Sequence, residues 1–463
     1  MKRIILSIVC LGVALGAAAQ GVAPNEGQEK DAKPQKLKIK PYGFVRNYFN
    51  FDSRNTYTVV GDQYSMVPYD EKWNGSAAEC AAFGVERTDL NAVPHTSFQA
   101  LTTRFGLSLE GPSVFGAATS GKVEADFGGF GTTNTVLRLR LAFVKLGWDN
   151  GMGLKQELLV GQYWHPLSGD IMPEVLGMAA GAPFRAHSRT PQLSYTLTTG
   201  SWGMTAAALY QLQYMYSGPS FSNGVWSSVS SIDFANRSLV PELFVGVQYR
   251  DEHVYAQLGS TCQTLKPRTV GYKQVEVDGV PTTVAYPVKE RLTSFTPTVY
   301  FQYTEGLYAL KFRAMMASNT SHVNQLNGYG VSDLLPDGSW EYAPLRAAIG
   351  YLNMAVGQKY RANLFLGYMK NLGAEKDLFN FGTEQAVRYM IFMKGGENFT
   401  GLNSVWRVAP SLSYNLKHFN IGVEYEWTAC TYGNQTANGS IALNDRLHMV
   451  DNHRVCAMVK YNF

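Results

Sequence analysis

The stretch Asn452-His453-Arg454-Val455-Cys456-Ala457-Met458-Val459-Lys460-Tyr461-Asn462-Phe463 decides between two folds. Its odd positions from Val455 are Val455, Ala457, Val459, Tyr461 and Phe463. Its even positions hold Arg454, Lys460 and Asn462, with Cys456 and Met458 between them. Successive side chains of a strand point to opposite faces, so a period of two gives one apolar face and one mostly polar face. The stretch ends on an aromatic residue. Taken alone, it suits the edge of a soluble sheet as well as the strand that closes an outer-membrane barrel. The rest of the sequence separates the two.

Charged residues are 16% of the total, against roughly a quarter in ordinary soluble domains. Glycine and tyrosine are abundant. Outside the first twenty residues there is no apolar run of about 18, so no transmembrane helix is expected. Low charge, many aromatics and no spanning helix fit a β-barrel, whose membrane signal is hidden in alternation. Lys2 and Arg3 precede the apolar run 4–15, and Ala17-Ala18-Ala19 offers a small-residue cleavage site. Residues 1–19 therefore read as a signal peptide. Cys10 lies inside the apolar run, which argues against a lipoprotein leader. The polar segment 20–36 reads as a flexible periplasmic extension, leaving 37–463 as one barrel domain. Removing Lys2 and Arg3 takes the formal charge from +4 to +2, too little for a nucleic-acid partner.

About 16 strands are predicted from pattern: 37–52, 97–109, 117–127, 135–148, 154–161, 192–199, 202–215, 242–250, 253–266, 293–303, 307–318, 342–356, 360–371, 403–414, 420–432 and 452–463. Alternation is clear where Phe105, Leu107 and Leu109 oppose Arg104, Gly106 and Ser108. It recurs where Val123, Ala125 and Phe127 oppose Lys122, Glu124 and Asp126. Leu137, Leu139 and Leu141 oppose Arg138 and Arg140, and Ile421, Val423, Tyr425 and Trp427 oppose Gly422, Glu424 and Glu426. Short links (149–153, 200–201, 251–252, 304–306, 357–359, 415–419 and the longer 111–116) alternate with long ones (53–96, 162–191, 216–241, 267–292, 319–341, 372–402, 433–451). Only 128–134 is short among the latter. Bacterial barrels alternate in this way because periplasmic turns are tight and outer loops long. The fold expected is an all-β, single antiparallel transmembrane β-barrel in the outer membrane.

With the apolar faces toward lipid, Arg46, Arg104, Arg138, Arg140, Lys311, Arg313, Arg407, Arg454 and Lys460 point into the lumen. Glu124, Asp126, Glu424 and Glu426 join them. Arg46, Arg104, Arg138 and Arg140 fall on strands one, two and four, close together if pairing is sequential. Such a cluster would give a positive field at a pore wall, or form an arginine–carboxylate network that stiffens the barrel, or both. The third outer loop contains Asp170-Ile171-Met172-Pro173-Glu174-Val175-Leu176-Gly177-Met178, read as a short helical turn with acids near its start. Folded into the lumen, it would set Asp170 and Glu174 across a narrow gap from the arginines. As an apolar loop it would otherwise cover the barrel mouth or a subunit contact. Cys80, Cys262, Cys430 and Cys456 allow three pairings. If the last two strands are neighbours, Cys430 and Cys456 both face inward near their outer ends and could pair; free lumenal thiols are the other reading.

Thr135 to Trp148 (TVLRLRLAFVKLGW), Val160-Gly161-Gln162-Tyr163-Trp164-His165-Pro166, Gly43-Phe44-Val45-Arg46-Asn47-Tyr48 and Gly181-Ala182-Pro183-Phe184 resemble the porin-like barrels of Bacteroidetes. The resemblance covers residues 40–200 best. It implies a 16-stranded outer-membrane barrel passing small hydrophilic solutes and ions passively, without cofactors, through a lumen narrowed by loop 162–191. By analogy with general porins, it also implies a homotrimer, an acidic inward loop (Asp170, Glu174) and a basic wall (Arg46, Arg104, Arg138, Arg140). Outer-membrane lipid surrounds such a barrel, and assembly machinery recognises a last strand ending like Phe463.

No GxSxG, HExxH, CxxC or P-loop pattern occurs, so no catalytic centre is expected. His165, His187, His253, His322 and His453 show no ligand spacing and read as loop or rim residues. The alternative function is a surface-binding barrel that captures a ligand or docks a partner through long loops such as 53–96. A rim enzyme would need a nucleophile or acid pair that cannot be assigned here.

Overall fold

The computed structural model describes residues 36–59, 64–129, 135–169, 172–222, 225–381, 385–386, 400–443 and 446–463. Residues 1–35, where a leader and most of an extension are expected, fall outside the described residues, as does Asp170. Sixteen antiparallel strands form the wall. They are β1 (Lys38–Asp52), β2 in two pieces (His95–Gln99 and Arg104–Val114), β3 (Ala117–Asp126), β4 (Arg138–Asp149), β5 (Leu154–Trp164), β6 (Arg189–Thr199), β7 (Trp202–Leu209) and β8 (Glu242–Arg250). After these come β9 (Val254–Leu265), β10 (Leu292–Glu305), β11 (Tyr308–Ser318), β12 (Arg346–Gly357), β13 (Tyr360–Gly373), β14 (Thr400–Asn415), β15 (Phe419–Asn434) and β16 (His448–Asn462). Each strand pairs with its sequence neighbour, and β1 pairs with β16 from Phe44↔Asn462 to Asp52↔Arg454. That last ladder closes the barrel and leaves no free edge.

The closing strand behaves as its alternation predicts. Val455, Val459 and Tyr461 are exposed on the outer face, while Arg454, Cys456 and Met458 are buried inside. Gly43 and Phe463 exchange backbone hydrogen bonds of 3.2 and 3.1 Å. A Cβ on Gly43 would sit 2.5 Å from the Phe463 ring, so glycine there lets the ring lie across the seam. Trp202, Tyr308, Tyr360 and Tyr461, all beside short turns, are exposed on the outside. They form an aromatic girdle of the kind that marks one membrane interface. At the same rim Asp251 caps its turn, its carboxylate accepting the N–H groups of His253 (2.9 Å) and Val254 (2.7 Å).

Three strand limits differ from expectation for local reasons. β7 ends at Leu209 because the Gln211 side-chain oxygen accepts the Leu212 and Gln213 N–H groups, both at 2.9 Å, and takes them out of the ladder. β12 begins at Arg346 because Trp340–Pro344 pairs instead with Tyr329–Leu334 in a loop hairpin. The turn expected over 111–116 is tighter, with Val114 pairing Ala117.

The outward placement of Leu141 is a correction. In the β3–β4 ladder Glu124 pairs Leu141 and Ala125 pairs Leu139, so Arg140 is an extra residue and Leu141 is buried. This bulge reverses the parity of β4: Val144 faces out, and Lys145 reaches Glu157 at 2.8 Å. Of the two readings left open for Cys430 and Cys456, the structure bears out free thiols, as all four cysteines described are unpaired. Cys430 opposes Val450 whereas Cys456 opposes Glu424. Six positions along a strand is roughly 20 Å, far beyond disulfide reach. Reducing agent is therefore expected to leave the electrophoretic mobility of the folded barrel unchanged.

Candidate pore wall and loop constriction

The predicted wall residues come together on β1–β4. Phe44, Arg104, Asp126 and Arg138 lie in one row across four strands. Arg138 grips Asp126 with two N–H groups, at 2.9 and 2.8 Å. Arg140 bridges Glu124 at 2.8 Å and Asp126 at 2.5 Å, and Arg104 lies 3.5 Å from Glu124. The Tyr42 hydroxyl donates to Glu124 at 3.0 Å. Asp126, Glu124, Arg138 and Arg140 are all buried. Their charges are neutralised at short range, which makes this half of the cluster structural.

The other half reaches the lumen. Arg46 opposes Lys460 directly in the β1–β16 ladder. Neither takes part in an ion pair among the described residues. The interruption between the two pieces of β2 turns Thr102 and Thr103 toward Arg46, whose Nε donates to the Thr102 hydroxyl at 2.9 Å. Lys460, Arg46 and Arg104 converge on the Phe44 ring, at 4.5, 4.9 and 5.0 Å from its centre. Three cations round one aromatic ring, all partly buried on the inner wall, make a basic surface on the lumenal side.

Loop 3, the segment between β5 and β6, folds deep into the barrel. The expected helical turn is a correction: residues 172–176 are irregular and 177–183 form turns. Pro173 supplies no N–H, and the N–H groups of Leu176 and Gly177 donate to the Glu424 carboxylate on β15, at 2.8 and 2.9 Å. Glu174 does not face the arginine row. It is held by Arg361 on β13, which donates two N–H groups to it, and by Lys311 on β11 at 3.4 Å. Its own N–H donates to Asn353 at 2.8 Å. Arg361 was legible in the sequence, since it shares parity with Asn363 on the polar side of β13, opposite Ala362, Leu364 and Leu366. Burial opposes the charge on Glu174, but Arg361 and Lys311 outweigh it and hold the carboxyl below its ordinary value. A depressed carboxylate stabilises above its ordinary pKa and loses that contribution as pH falls through the shifted value. Loop 3 is thus expected to stay docked at neutral pH and to loosen in acid, below about pH 4, as checked by the pH dependence of protease cleavage within 165–188.

Glycines on the wall receive the apolar side chains of the loop. A Cβ on Gly367 would lie 2.4 Å from the Phe184 ring, and one on Gly422 would lie 2.5 Å from Leu176. Arg407 on β14 joins two loops to the wall. It donates to Ala182 O of loop 3 at 2.8 Å, to Met66 O at 2.9 Å and to Ser65 O at 3.3 Å in the hairpin Thr56–Val59/Tyr64–Pro68. Tyr64, Met66, Leu167, Phe184, Ile349, Tyr351, Phe365 and Val405 then form one buried cluster that fills the lumen against β12–β14. His187 lies in this packing, edge-on to Tyr64 and Trp164. Burial, then Arg185 and Arg189, push its imidazole well below the ordinary value, so it is neutral. On the β4–β9 side a cavity of about 670 Å³ stays open beneath Trp164 and Pro166, lined by Lys145, Glu157, Thr196 and Gln248 among others.

No protein-family model matches the sequence, and neither does any curated protein. Solved structures do. The chain is similar to the outer membrane channel DcaP of Acinetobacter baumannii, with TM-score 0.58 and 15% identity over 93% of this chain and 99% of that one. In-vitro folded OmpT of Vibrio cholerae aligns at TM-score 0.46 and 12% identity, covering 93% and 100%. The anion-selective porin from Comamonas acidovorans aligns at 0.47 and 10%, covering 92% and 100%. Of these three, the channel of Acinetobacter baumannii alone exceeds a TM-score of 0.5, and at 15% identity the likeness is one of fold. With its closed wall and lipid-type outer belt, the chain has the sixteen-stranded architecture of porin-like outer-membrane barrels.

Proposed function

We propose that this protein is an outer-membrane porin that passes small hydrophilic solutes and ions by diffusion, with a preference for anions, and performs no catalysis. The observation that carries this reading is the convergence of Arg46, Arg104 and Lys460 on Phe44, where two of the three cations have no carboxylate partner among the described residues. An unpaired cation at a low-dielectric wall favours anions in transit. Arg138 and Arg140 hold the wall in shape, and loop 162–191 narrows the path. Bacteroidetes ancestry rests on the motifs at 43–48, 135–148, 160–166 and 181–184. Cleavage of a leader after residue 19, recognition of the Phe463 strand by assembly machinery and a homotrimer complete the proposal. Cross-linking in native membranes tests the last of these.

The testing experiment is single-channel recording of the refolded barrel in a KCl gradient. Wild type should give stable steps with an anion-selective reversal potential. Arg46→Ser with Lys460→Ser should move that potential toward cations, and an unchanged potential would remove the assignment. A surface-binding barrel is favoured by one feature, the depth to which outer loops fill the lumen. Silence from a barrel proven to be folded would support that second reading.

A further inference from the structure

Glu242, the first residue of β8, is buried inside the barrel, and no Lys or Arg pairs with it among the described residues. Two histidines from separate inward loops meet it instead. His165 opens loop 3, and His322 sits in the short turn Ser321–Val323 between β11 and β12. Their Nε2 atoms lie 3.2 and 3.0 Å from the same Glu242 oxygen, Oε2. All three residues are nearly inaccessible, and their ligating atoms lie within 4.8 Å of one another. The second carboxylate oxygen, Oε1, is buried with no hydrogen-bond partner.

Burying a carboxylate is strongly unfavourable unless a cation or hydrogen-bond donors meet it. Two imidazole nitrogens and a carboxylate oxygen are the donor set of borderline divalent ions. Ligands about 2.0–2.1 Å from a tetrahedral ion stand about 3.3 Å apart, close to the two spacings seen here. The surroundings hold the rings in place, as an outer shell does at a metal site. Tyr216 stacks on His322 at 4.6 Å between ring centres. The Gln263 amide lies 3.3 Å from His322 Nε2, and its oxygen accepts from Asn319 at 3.2 Å. His165 Nδ1 accepts the Leu167 N–H at 3.2 Å, which puts the imidazole proton on Nε2, facing Glu242. An ion entering the site takes the place of that proton.

We propose that His165, Glu242 and His322 bind one divalent transition-metal ion of the zinc class, with Glu242 Oε1 or water completing the shell. The ion ties loop 3 and the β11–β12 loop to the wall at β8. The test uses full-length refolded barrel without a polyhistidine tag, its folded state checked by heat-modifiable gel mobility, and titrated with Co²⁺ and Zn²⁺ alone. One equivalent per chain is expected, with the visible absorption of tetrahedral Co²⁺. Glu242→Gln and His322→Gln should each weaken uptake by at least about tenfold. Failure of the folded wild type to take up an equivalent, or uptake unchanged in both variants, overturns the site and leaves a metal-free hydrogen-bonded cluster. Should the variants misfold, X-ray absorption of the zinc-loaded wild type decides. Two imidazoles with oxygen support the assignment, whereas sulfur ligands or an all-oxygen shell overturn it.

Discussion

Replacing Arg407 by methionine is expected to undock loop 3 and the hairpin 56–68 together, giving larger and noisier conductance steps and rapid proteolysis within 165–188. The side chain is buried and donates to Ala182 O, Met66 O and Ser65 O as well as to the Thr428 hydroxyl at 2.9 Å. Methionine keeps most of the volume and none of the donors. Each buried carbonyl left without a donor costs about 1–3 kcal/mol, and three of them belong to the two loops. Glu426, 3.3 Å from the guanidinium, would also lose its ion partner. The wall itself keeps its ladder bonds, so the barrel should still refold. Unchanged conductance and protease resistance would show that the glycine pockets at 367 and 422 hold the loop without this arginine. The complementary change, Gly367→Leu, should evict Phe184 from its pocket and produce the same phenotype by steric means.

The second large effect concerns stability. Arg138→Leu is expected to destabilise the barrel by about 1.5–3 kcal/mol, because buried Asp126 loses the two N–H groups of Arg138 and keeps Arg140, at 2.5 Å, as its one remaining cation. Denaturant unfolding of the refolded protein in lipid measures it. Asp126→Leu in the same chain should restore much of that loss, since the remaining Arg140 keeps Glu124 at 2.8 Å. Selectivity should change far less than with Arg46→Ser, because Arg138 is buried and its charge is already matched. If Arg138→Leu instead shifted the reversal potential as strongly as Arg46→Ser, the division of the cluster into structural and solvent-facing halves would be wrong.

Much of this architecture can be read from residues. Period-two alternation and the rhythm of short and long links locate every wall strand, because lipid on one side and lumen on the other leave each position little choice. Leu141 shows where that logic fails: one bulged residue, Arg140, reverses parity without any change in composition. The Arg104–Glu124–Asp126–Arg138 cluster follows from sequential pairing, whereas Glu174 finds Arg361 across 187 residues of sequence and the lumen. No local pattern encodes a contact made by a loop crossing a barrel. The same holds for His165, which meets Glu242 77 residues away, and for His322, which meets it from 80 residues on the other side. As isolated histidines they carried no ligand spacing. Only the inward fold of two loops makes them neighbours.

The β1–β16 seam also has a kinetic meaning. Asn452 donates to Asp52 at 2.8 Å across 400 residues of sequence. Every other wall ladder joins consecutive strands, so the seam is the one pairing of extreme contact order and is expected to form last. Until it does, both terminal strands expose unpaired edges that invite pairing with other chains. The time spent in that open form, rather than the stability of the finished barrel, then governs how much protein is lost to aggregation during assembly.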